Sequence, residues 1–587
     1  MKKIVLSLLS AVLLVSATSC NKDILDENAL SVLTPSLLQT SQGVEAGVTG
    51  AYSGLRQLYG NEGDAFATEA GTDAFTSGIQ SNSGLNDYDN NALTPLNDGA
   101  HGYRWSICYT QINTINGVLQ YGPNAQGITP ARLTQLLAEV KVMRANYYFT
   151  LVQDFGDVPL QITFVDSPSK DFTRAPQADV YAQIIKDLTE ALATIADKSA
   201  QPGRITRAAA LHLLAKVYLT RATSPAKQPT DYTLAAQYAK ELIDNQGRYG
   251  LGLEADVADV HREGNENGKE VIMNAQFNGD ATFSRIDGST YGGENAMNFF
   301  FRSQYDQLPN MNRDINNGRP FARLAPTFFL INSYILRDAA GNALESGPTL
   351  RTTDTRYNKW FTSVYRVNTP GANGGSTAAV VGDTSIWYPG RELSAAKLAQ
   401  IAARKPAPYR VFQPSQLTTQ FFPTMNKYDS RARTSVNGFS IRPVIVYRLA
   451  ETYLIAAEAY FYLGNSAQAA TYLNVVRERA GATGQKQLMD ITASRVNIDF
   501  ILDERLRELV GEQTRWQDLK RTTTASGASQ LLTRVRNTNY APPLVKNSAG
   551  VYGSNAAINI RDFHVLRPVP QTEVDRTSGK ITQNPGY

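Results

Sequence analysis

The chain has 587 residues, of which 42% are hydrophobic and 19% are charged, and its formal net charge is +4. This composition is typical of a globular protein rather than a disordered one. A net charge so close to balance excludes a protein that binds nucleic acid by neutralising many phosphates.

The N-terminus, MKKIVLSLLSAVLLVSATSC, has the order of a secretory signal peptide. A basic start precedes an apolar stretch over 4–15, which is too short to cross a bilayer core of about 30 Å as a helix. The small residues that end at Cys20 resemble a bacterial lipobox, which implies cleavage after residue 19 and lipidation of Cys20. The alternative is a secreted protein in which Cys20 is incidental. With Cys20 lipidated, Cys108 has no partner for a disulfide.

Acidic residues follow Cys20 closely. Asp23, Asp26 and Glu27 lie in the segment 20–34, which we interpret as a tether outside the fold. Acidic residues just after a lipidated cysteine resemble the surface-export signal of Bacteroidetes lipoproteins, and a simple solvated tether is the alternative. No later segment is apolar over the roughly 20 residues that a spanning helix needs. We therefore expect membrane contact through the lipid alone.

Helical patterning dominates a first block, over about 35–245. The segment LTQLLAEVKVMRANYYFTLVQDFG repeats apolar residues at spacings of three and four, which is typical of a helix with one buried face. Gly156 and Pro159 are ordinary helix stops. Three further helices are predicted in this block, from the segments ADVYAQIIKDLTEALATIA, RITRAAALHLLAKVYLTRA and DYTLAAQYAKELID.

A second helical block covers about 446–534. The segment RLAETYLIAAEAYFYLGNSAQAATYLNVVRERAG is predicted to be a helical hairpin with the residue spacing of a tetratricopeptide repeat. In such a hairpin the small Ala457 allows close helix contact, Tyr460 fills the groove and Gly464 turns the chain. Repeats of this kind cannot bury their faces singly, so we expect both blocks to stack into one array of about four helix pairs.

The region between the blocks, about 247–442, has a different composition and residue pattern. It mixes Gly, Pro, Asn, Thr and aromatic residues with little helical period, which is typical of loops and short strands. A second loop-rich stretch covers 73–103. Irregular insertions on a rigid scaffold usually carry function, so we expect this region to form the ligand side. The predicted fold is mainly α, a tetratricopeptide-like repeat array in a single domain over 35–587 that ends with the segment 535–587.

Signatures of catalysis are mostly missing from the sequence. The four histidines have no metal-ligand spacing, and there is no HExxH motif, nucleophile elbow or phosphate-binding loop. Glu504 and Glu508 share a helix face, as the paired carboxylates of a glycosidase could. Nearby Arg505, Arg507 and Arg515 would lower the carboxylate pKa values and favour an ion-pair network instead. We therefore predict that the protein is not an enzyme.

One stretch begins like a calcium-binding loop. In DYDNNALTPLND, Asp87, Asp89 and Asn91 alternate, but Ala92 stands where an EF-hand needs Gly and no Glu closes the loop. We predict no cofactor. A structural calcium ion elsewhere in the acidic loops is left open, without a residue pattern that supports it.

Several ordered segments together resemble one known family. After the lipobox come AEVKVMRANYYFTLVQDFGDVPL, RLAETYLIAAEAYFYLG, ILDERLRELVGEQTRWQDLKR and the terminal LRPVPQTEVDRTSGKITQNPGY. In this order they resemble the SusD/RagB family of nutrient-uptake outer-membrane lipoproteins. The matching segments span essentially the whole mature chain.

The resemblance implies a lipid-anchored protein of the outer membrane, exposed at the cell surface, that binds glycans without cleaving them. It also implies a partner, a SusC-like TonB-dependent β-barrel, on which the protein sits as a lid while oligosaccharides are captured for import. Three alternatives stay open: a peptide-binding lid of the RagB kind, an exported glycoside hydrolase, and an adhesin or purely structural repeat protein.

The resemblance also indicates where a ligand would bind. Asp73, in GTDAFTSG, matches an acidic family position near the ligand side, whereas Trp105, Tyr109 and Trp516 match scaffold positions and are expected in the core. For every loop aromatic, packing onto the helices is the alternative. The candidate ligand-binding residues are Asp73, Asn86, Asp87, Tyr88, Tyr291, Trp360, Trp387 and Tyr388.

Overall fold

The fold was analysed in a computed structural model that describes residues 34–79, 88, 92–278, 294–433, 435–537 and 556–587. Its N-terminal half is helical. Helices α1 to α8 are Pro35–Leu38, Ser41–Leu58, Glu62–Glu69, Gly99–Tyr121, Pro130–Phe155, Gln177–Leu192, Arg207–Arg221 and Asp231–Asp244. Helix α4 begins at Gly99, within the stretch that the sequence assigned to a loop, because its first turns bury His101 and Arg104.

Helix α5 shows how local sequence sets the helix bounds. The side chain of Thr129 caps its first turn by accepting a hydrogen bond from the backbone N–H of Arg132 at 3.3 Å, and Pro130 occupies the first helical position. Gly156 ends the helix with a φ of 75°, a conformation that glycine adopts without strain. The predicted stop at Gly156 is therefore confirmed.

The helices pack as successive pairs. Helix α2 packs on α4, α5 on α6, and α7 on α8, and α4–α5 and α6–α7 contacts join these pairs in chain order. Leu449–Tyr462 (α14) and Ser466–Ala480 (α15) form a fourth pair, turned at Gly464 with a φ of 78°. Because α14 packs directly on α8, the two sequence blocks form one array, which confirms the predicted fold class.

Short elements fill the region between α8 and α14. Helices α9 to α13 are Val257–Val260, Met297–Phe300, Phe328–Ser333, Arg356–Trp360 and Ala395–Ala402. Strands β1 to β9 are Phe75–Ser77, Val271–Ala275, Leu324–Pro326, Phe361–Thr362, Val364–Arg366, Thr384–Trp387, Arg410–Val411, Thr424–Met425 and Val444–Arg448. The strands of the described residues form the pairs β1–β3, β2–β9 and β4–β8 and the three-stranded sheet β5–β6–β7.

The C-terminal part returns to the array. Its helices α16 to α20 are Ile498–Leu509, Arg515–Arg521, Gln530–Arg536, Ala556–Asn559 and Gln571–Arg576. The side-chain amide of Asn584 donates to the carbonyl oxygens of Phe155 (3.0 Å) and Arg567 (2.8 Å), which fastens the chain end to α5. Within the described part of the chain, no helix is both long and apolar enough to cross a membrane.

The residues that match scaffold positions lie where they were expected. Trp105 and Trp516 are buried, and the hydroxyl of half-buried Tyr109 donates to the carbonyl oxygen of Pro159 at 2.8 Å. Cys108 is fully buried, and burial raises its thiol pKa to about 12. Cys108 therefore acts as a small core residue.

A buried network of arginines and glutamates joins the array to the irregular region. Glu508, on α16, accepts hydrogen bonds from Arg356 of α12 at 2.9 Å, from Arg448 of β9 at 2.7 Å and from Arg479 of α15. Glu504, one turn earlier, accepts from the same Arg356 guanidinium at 2.7 Å. All five side chains are almost completely buried.

The charges of this network confirm the structural interpretation of Glu504 and Glu508. Burial alone would raise the pKa of Glu508, but the guanidiniums of Arg479, Arg448 and Arg356 outweigh it and lower that pKa to about 2. The Glu504 pKa is likewise held well below its usual range by neighbouring guanidiniums, against the effect of burial. Carboxylates that stay ionised in this way cannot serve as the general acid of a glycosidase, which needs a raised pKa.

The network and the neighbouring His261 predict a loss of stability in acid. His261 Nε2 lies 3.2 Å from a carboxylate oxygen of Glu512, and the Glu512 carboxylate also accepts a hydrogen bond from Arg448 at 2.7 Å. Burial lowers the pKa of His261 to about 4, from an ordinary value of 6.5, and Glu508 falls to about 2 from 4.5. In both cases the unfolded chain binds protons at higher pH than the folded chain does. We expect His261 to lower the free energy of unfolding between pH 6.5 and 4, and Glu508 to lower it between pH 4.5 and 2. Glu69 acts in the opposite direction between pH 8 and 4.5, because burial raises its pKa to about 8.

Urea titrations of the parent protein and a Glu508→Gln variant isolate the contribution of Glu508, and the variant should show a weaker pH dependence below pH 4.5. The same pH dependence in both proteins below pH 4.5 would contradict the assignment.

Candidate functional site

Asn86, Asp87 and Tyr291 lie outside the described residues, as does Cys20. Among the described residues, the segment 321–323 contacts two parts of the chain. The N–H of Gly78 donates to the carbonyl oxygen of Arg323 at 2.6 Å. The N–H of Phe321 donates to the carbonyl oxygen of Phe299, in α10, at 3.2 Å. Residues 321–323 thus lie between the segment that follows strand β1 and helix α10.

Aromatic and cationic side chains cover this meeting point. We call it the stem surface and define it by Phe299, Arg319, Phe321, Arg323 and Phe439. The guanidiniums of Arg319 and Arg323 lie 4.6 and 4.9 Å from the centroid of the half-exposed Phe321 ring. Buried Phe299 lies 5.0 Å from Phe321 and 5.5 Å from Phe439, whose exposed fraction is 40%. The surface therefore presents apolar ring area beside positive charge.

Arg319 differs from most arginines of the fold. Arg323 pairs with Glu62, but no carboxylate of the described residues forms an ion pair with Arg319. Partial burial lowers the Arg319 pKa, and the positive charges of Arg313 and Arg323 add to this effect. Because a partly desolvated guanidinium gains from an oxygen acceptor, Arg319 is suited to bind a ligand hydroxyl or carboxylate.

A group of side-chain amides lies beside the stem surface. The amide nitrogen of Gln420 donates to the Oε1 atoms of Gln304 (2.8 Å) and Gln307 (2.9 Å), and the next residue, Phe421, is half-exposed. The backbone just after strand β1 lies close to these amides, because the N–H of Ile79 donates to the carbonyl oxygen of Thr419, next to Gln420, at 3.1 Å. Neutral amides offer both donors and acceptors, which suits uncharged hydroxyl-rich ligands.

Trp387 is the predicted aromatic that the structure leaves partly exposed. It ends strand β6 and pairs in register with Val364 and Val411. Its ring meets the half-exposed Tyr409 edge-on at 6.4 Å, and the Arg404 guanidinium lies 5.7 Å from the Tyr409 centroid. Trp387 and Tyr409 therefore form a second aromatic surface on the irregular region.

Asp73 lies in the interior. Its carboxylate is fully buried and accepts hydrogen bonds from Arg515 at 2.5 and 2.6 Å and from Arg534 at 3.1 Å. Burial would raise the Asp73 pKa, but these two guanidiniums hold it below its usual range. Its two guanidinium partners tie the segment after α3 to α17 and α18, and in this arrangement the carboxylate does not face solvent.

Three predicted aromatics also lie inside the protein. The Tyr88 ring stacks on His564 at 5.0 Å, and its hydroxyl donates to the carbonyl oxygen of Gly71 at 2.8 Å. Trp360 Nε1 donates to the carbonyl oxygen of Val257 at 3.2 Å, and the Tyr388 hydroxyl lies 3.2 Å from that of Ser303. Each ring is 1% exposed. Their placement supports the packing alternative rather than ligand contact.

The sequence carries a signal for the stem surface outside the motifs described above. In GRPFARL, Arg319, Phe321 and Arg323 alternate with other residues. The chain is not extended here, because Ala322 has a φ of 46°. The short spacing alone could have predicted two cations within reach of the Phe321 ring. Gln304, Gln307 and Gln420 had no such signal, because long-range pairing brings them together.

No metal site accompanies these surfaces within the described ranges. No group of three or more His, Cys, Asp or Glu side chains there could hold a metal ion. The calcium-like pattern over 87–92 lies mostly outside the described residues.

Fold and surface together define a tetratricopeptide-like helical repeat protein with an irregular region that presents aromatic, amide and cationic side chains. The chain belongs to the SusD family, whose profile matches residues 269–587. A second profile, described as "Starch-binding associating with outer membrane", matches residues 24–219.

Similar proteins agree with this membership. SusD-like protein P2 of Formosa agariphila is 25% identical over 596 aligned positions, which cover 98% of each chain. A SusD-like protein of Bacteroides ovatus is 32% identical over 193 residues, or 32% of this chain and 34% of that protein.

Solved structures show the same fold. A SusD homologue from Bacteroides thetaiotaomicron superposes with a TM-score of 0.69 at 20% identity, covering 94% of this chain and 97% of its own. A protein described as a laminarin-binding SusD-like protein gives a TM-score of 0.64 at 22% identity, with coverages of 94% and 100%. NanU of B. fragilis gives 0.63 at 18% identity, with coverages of 96% and 99%.

The different burial of two tryptophans can be tested by stability. Trp360→Ala should destabilise the protein by about 3–5 kcal/mol, the usual cost of emptying a large buried aromatic site. Trp387→Ala, at a half-exposed position, should cost about 1 kcal/mol or less. The denaturant midpoints of the two variants and the parent protein measure both losses of stability, provided that the three proteins have the same dependence of unfolding free energy on denaturant concentration. Equal losses would show that Trp387 is as important for packing as Trp360.

Proposed function

We propose that this protein is a lipid-anchored glycan-binding protein of the outer membrane, exposed at the cell surface. In this proposal it acts as the lid of a SusC-like TonB-dependent β-barrel and captures oligosaccharides for import without cleaving them. Membership of the SusD family supports the proposal, as do the name of the second matching profile and the laminarin-binding relative in fold. Lipidation at Cys20 rests on the lipobox of the sequence.

The observation that carries glycan binding is the composition of the stem surface and its neighbours. Neutral sugars have apolar C–H faces that pack on aromatic rings, and hydroxyls that need donors and acceptors. Phe321 and Phe421 supply half-exposed rings, while Gln307, Gln420 and Arg319 supply polar groups beside them. We propose that these residues, together with Trp387, contact the glycan.

Lid function does not require a tight site. A site with a millimolar dissociation constant contributes only about −4 kcal/mol. When a lipid anchor holds the lid next to its barrel, the effective concentration of the second binding step is high, so weak binding suffices for capture.

The state of the three carboxylates that most resembled a catalytic or ligand-facing site supports the proposal of binding without cleavage. Glu504 and Glu508, the pair that most resembled a glycosidase site, are buried and have lowered pKa values. Asp73 is also fixed by two guanidiniums. We therefore expect the protein to leave glycosidic bonds intact.

Calorimetry with a panel of oligosaccharides and a peptide mixture tests the ligand class. We expect heat from at least one glycan, and Phe321→Ala or Trp387→Ala should weaken its binding about fivefold, which corresponds to about 1 kcal/mol for a lost ring contact. Tyr121→Ala serves as the matched control, because Tyr121 is a half-exposed aromatic on the helical array and should leave affinity unchanged. Binding heat from the peptide mixture alone would show that the ligand is a peptide and not a glycan. New reducing ends after incubation would identify a hydrolase instead.

The lid role and the anchor can be tested on native membranes. We expect the protein to co-purify with a TonB-dependent barrel from detergent extracts, and the N-terminal peptide to carry acyl chains on Cys20. A Cys20→Ala variant should be released from the outer membrane while keeping its affinity for glycan. An unmodified Cys20, or isolation free of any barrel under mild detergent, would contradict this part of the proposal.

A further inference from the structure

A cavity lies between α11, the turn that follows it and α16. Its residues are separate in sequence from those of the stem surface. The volume of the cavity is about 310 Å³, at the lower end of the range for small-molecule sites and suited to one sugar unit. Tyr334 and Phe500 line it together with polar and charged side chains. Nothing in the proposed glycan surface uses these residues.

Arginines dominate the charged lining of this cavity. Four arginines and two aspartates line it: Arg337, Arg477, Arg495, Arg507, Asp354 and Asp503. Both aspartates are already engaged by arginines from outside the lining. Asp354 accepts from Arg356 at 2.7 and 2.9 Å, and Asp503 accepts from Arg534 at 2.7 Å. The lining therefore has more cations than acids available to neutralise them.

Three of these guanidiniums surround one ring. Those of Arg477, Arg495 and Arg507 lie 5.1, 5.5 and 5.5 Å from the centroid of half-exposed Phe500. Arg477 and Arg507 share a single carboxylate oxygen of Glu504, at 2.6 and 2.8 Å. Arg477 also donates to the carbonyl oxygen of Met489 at 2.6 Å, and Arg507 to that of Ser333 at 3.3 Å. Each guanidinium has five N–H groups, so both arginines keep N–H groups that can donate to a further anionic oxygen.

No carboxylate of the described residues forms an ion pair with Arg495. Its guanidinium donates instead to the carbonyl oxygens of Arg337 (3.2 Å) and Asp338 (3.1 Å). The carboxylate of Asp338, the acidic group nearest in sequence to these contacts, is hydrogen-bonded to the backbone (2.8 Å) and side chain (3.1 Å) of Asn342. These hydrogen bonds from Asn342 lower the pKa of the Asp338 carboxylate, and the charge of Arg495 makes a smaller contribution in the same direction. Arg495 is thus a half-buried cation, oriented by backbone acceptors, whose charge is not neutralised by a direct ion pair.

We propose that this cavity binds an anionic sugar unit, with the carboxylate or sulfate ester held by Arg495 and its neighbouring guanidiniums and the sugar ring against Phe500 and Tyr334. Planar guanidiniums bind carboxylate and sulfate-type oxygens through paired hydrogen bonds. The sugar part of this assignment rests on the proposed function. The anion part rests only on the cavity and its arginines.

Titration of the mature chain with three monosaccharides tests the proposal. D-glucuronate and D-glucose 6-sulfate separate the two anion types, and D-glucose is the neutral reference. NMR or calorimetry measures the affinity for each sugar, and we expect at least one anionic sugar to bind at least tenfold more tightly than glucose. Its affinity should fall when the salt concentration rises from 0.15 to about 0.5 M, because salt screens the interaction between the charges. Equal binding of all three sugars would overturn the proposal.

Variants locate the binding to this cavity. Arg495→Gln should weaken binding of the anionic sugar at least tenfold, Arg495→Lys should weaken it less, and Arg337→Gln should reduce it without disturbing the core, because Arg337 is exposed. Arg248→Gln is the matched control, since Arg248 is exposed and pairs with Asp197 away from the cavity. Unchanged affinity in both Arg495→Gln and Arg337→Gln would refute the site.

The proposed glycan surface and the proposed anion-binding cavity can be refuted independently of each other. Arg495→Gln should leave the affinity for a neutral glycan unchanged, while Phe321→Ala should leave the affinity for the anionic sugar unchanged. If no neutral glycan binds but the anionic sugar still depends on Arg495, the cavity assignment stands and the proposed glycan surface does not. Thermal unfolding of each variant checks that the protein remains folded.

Discussion

The arrangement of the whole protein depends on the buried contact between Glu508 and three guanidiniums. Arg356 comes from the irregular region, Arg448 from the strand before the last helix pair, and Arg479 from that pair. Removing one member of such a cluster leaves a buried charge without a partner, which costs about 3–5 kcal/mol. The contact therefore fixes how the irregular region lies on the helical array.

This constraint gives arginine two different roles in one chain. Arg356 and Arg448 have several carboxylate partners each and serve the fold. Arg319 and Arg495 form no ion pair with a carboxylate of the described residues, and both lie beside half-exposed rings, Phe321 and Phe500. A buried cation is stabilised by fixed acidic partners, whereas a cation at the surface can receive its acceptor oxygen from a ligand. The distribution of acidic partners thus separates the arginines of the scaffold from those of the two proposed binding sites.

The helical array could be predicted from the sequence because its signals are local. The spacing of apolar residues gave the helices, and Gly156 and Gly464 gave two of their ends. The candidate site depended on contacts between distant segments. Trp387 and Tyr388 are neighbours in the chain, but Trp387 ends strand β6 and stays partly exposed. Tyr388, just after the strand, is buried by long-range contacts with Phe412 and Ser303. Asp73 could not be recognised as interior without Arg515 and Arg534, which follow more than 400 residues later.

The separation of fold and site has a consequence for how the proposed ligand surface can change. In the proposed function the protein must release what it binds, so a few half-exposed rings and polar groups of modest affinity suit the task. Phe321, Phe421 and Trp387 contribute only part of their area to packing, whereas Trp360 and Tyr388 contribute nearly all of it. Substitutions at the former positions would alter the proposed ligand surface at small cost to the core, because surface replacements away from buried networks change stability little. The proposed ligand surface of this protein can therefore change while the helical array and the buried arginine–glutamate contacts stay the same.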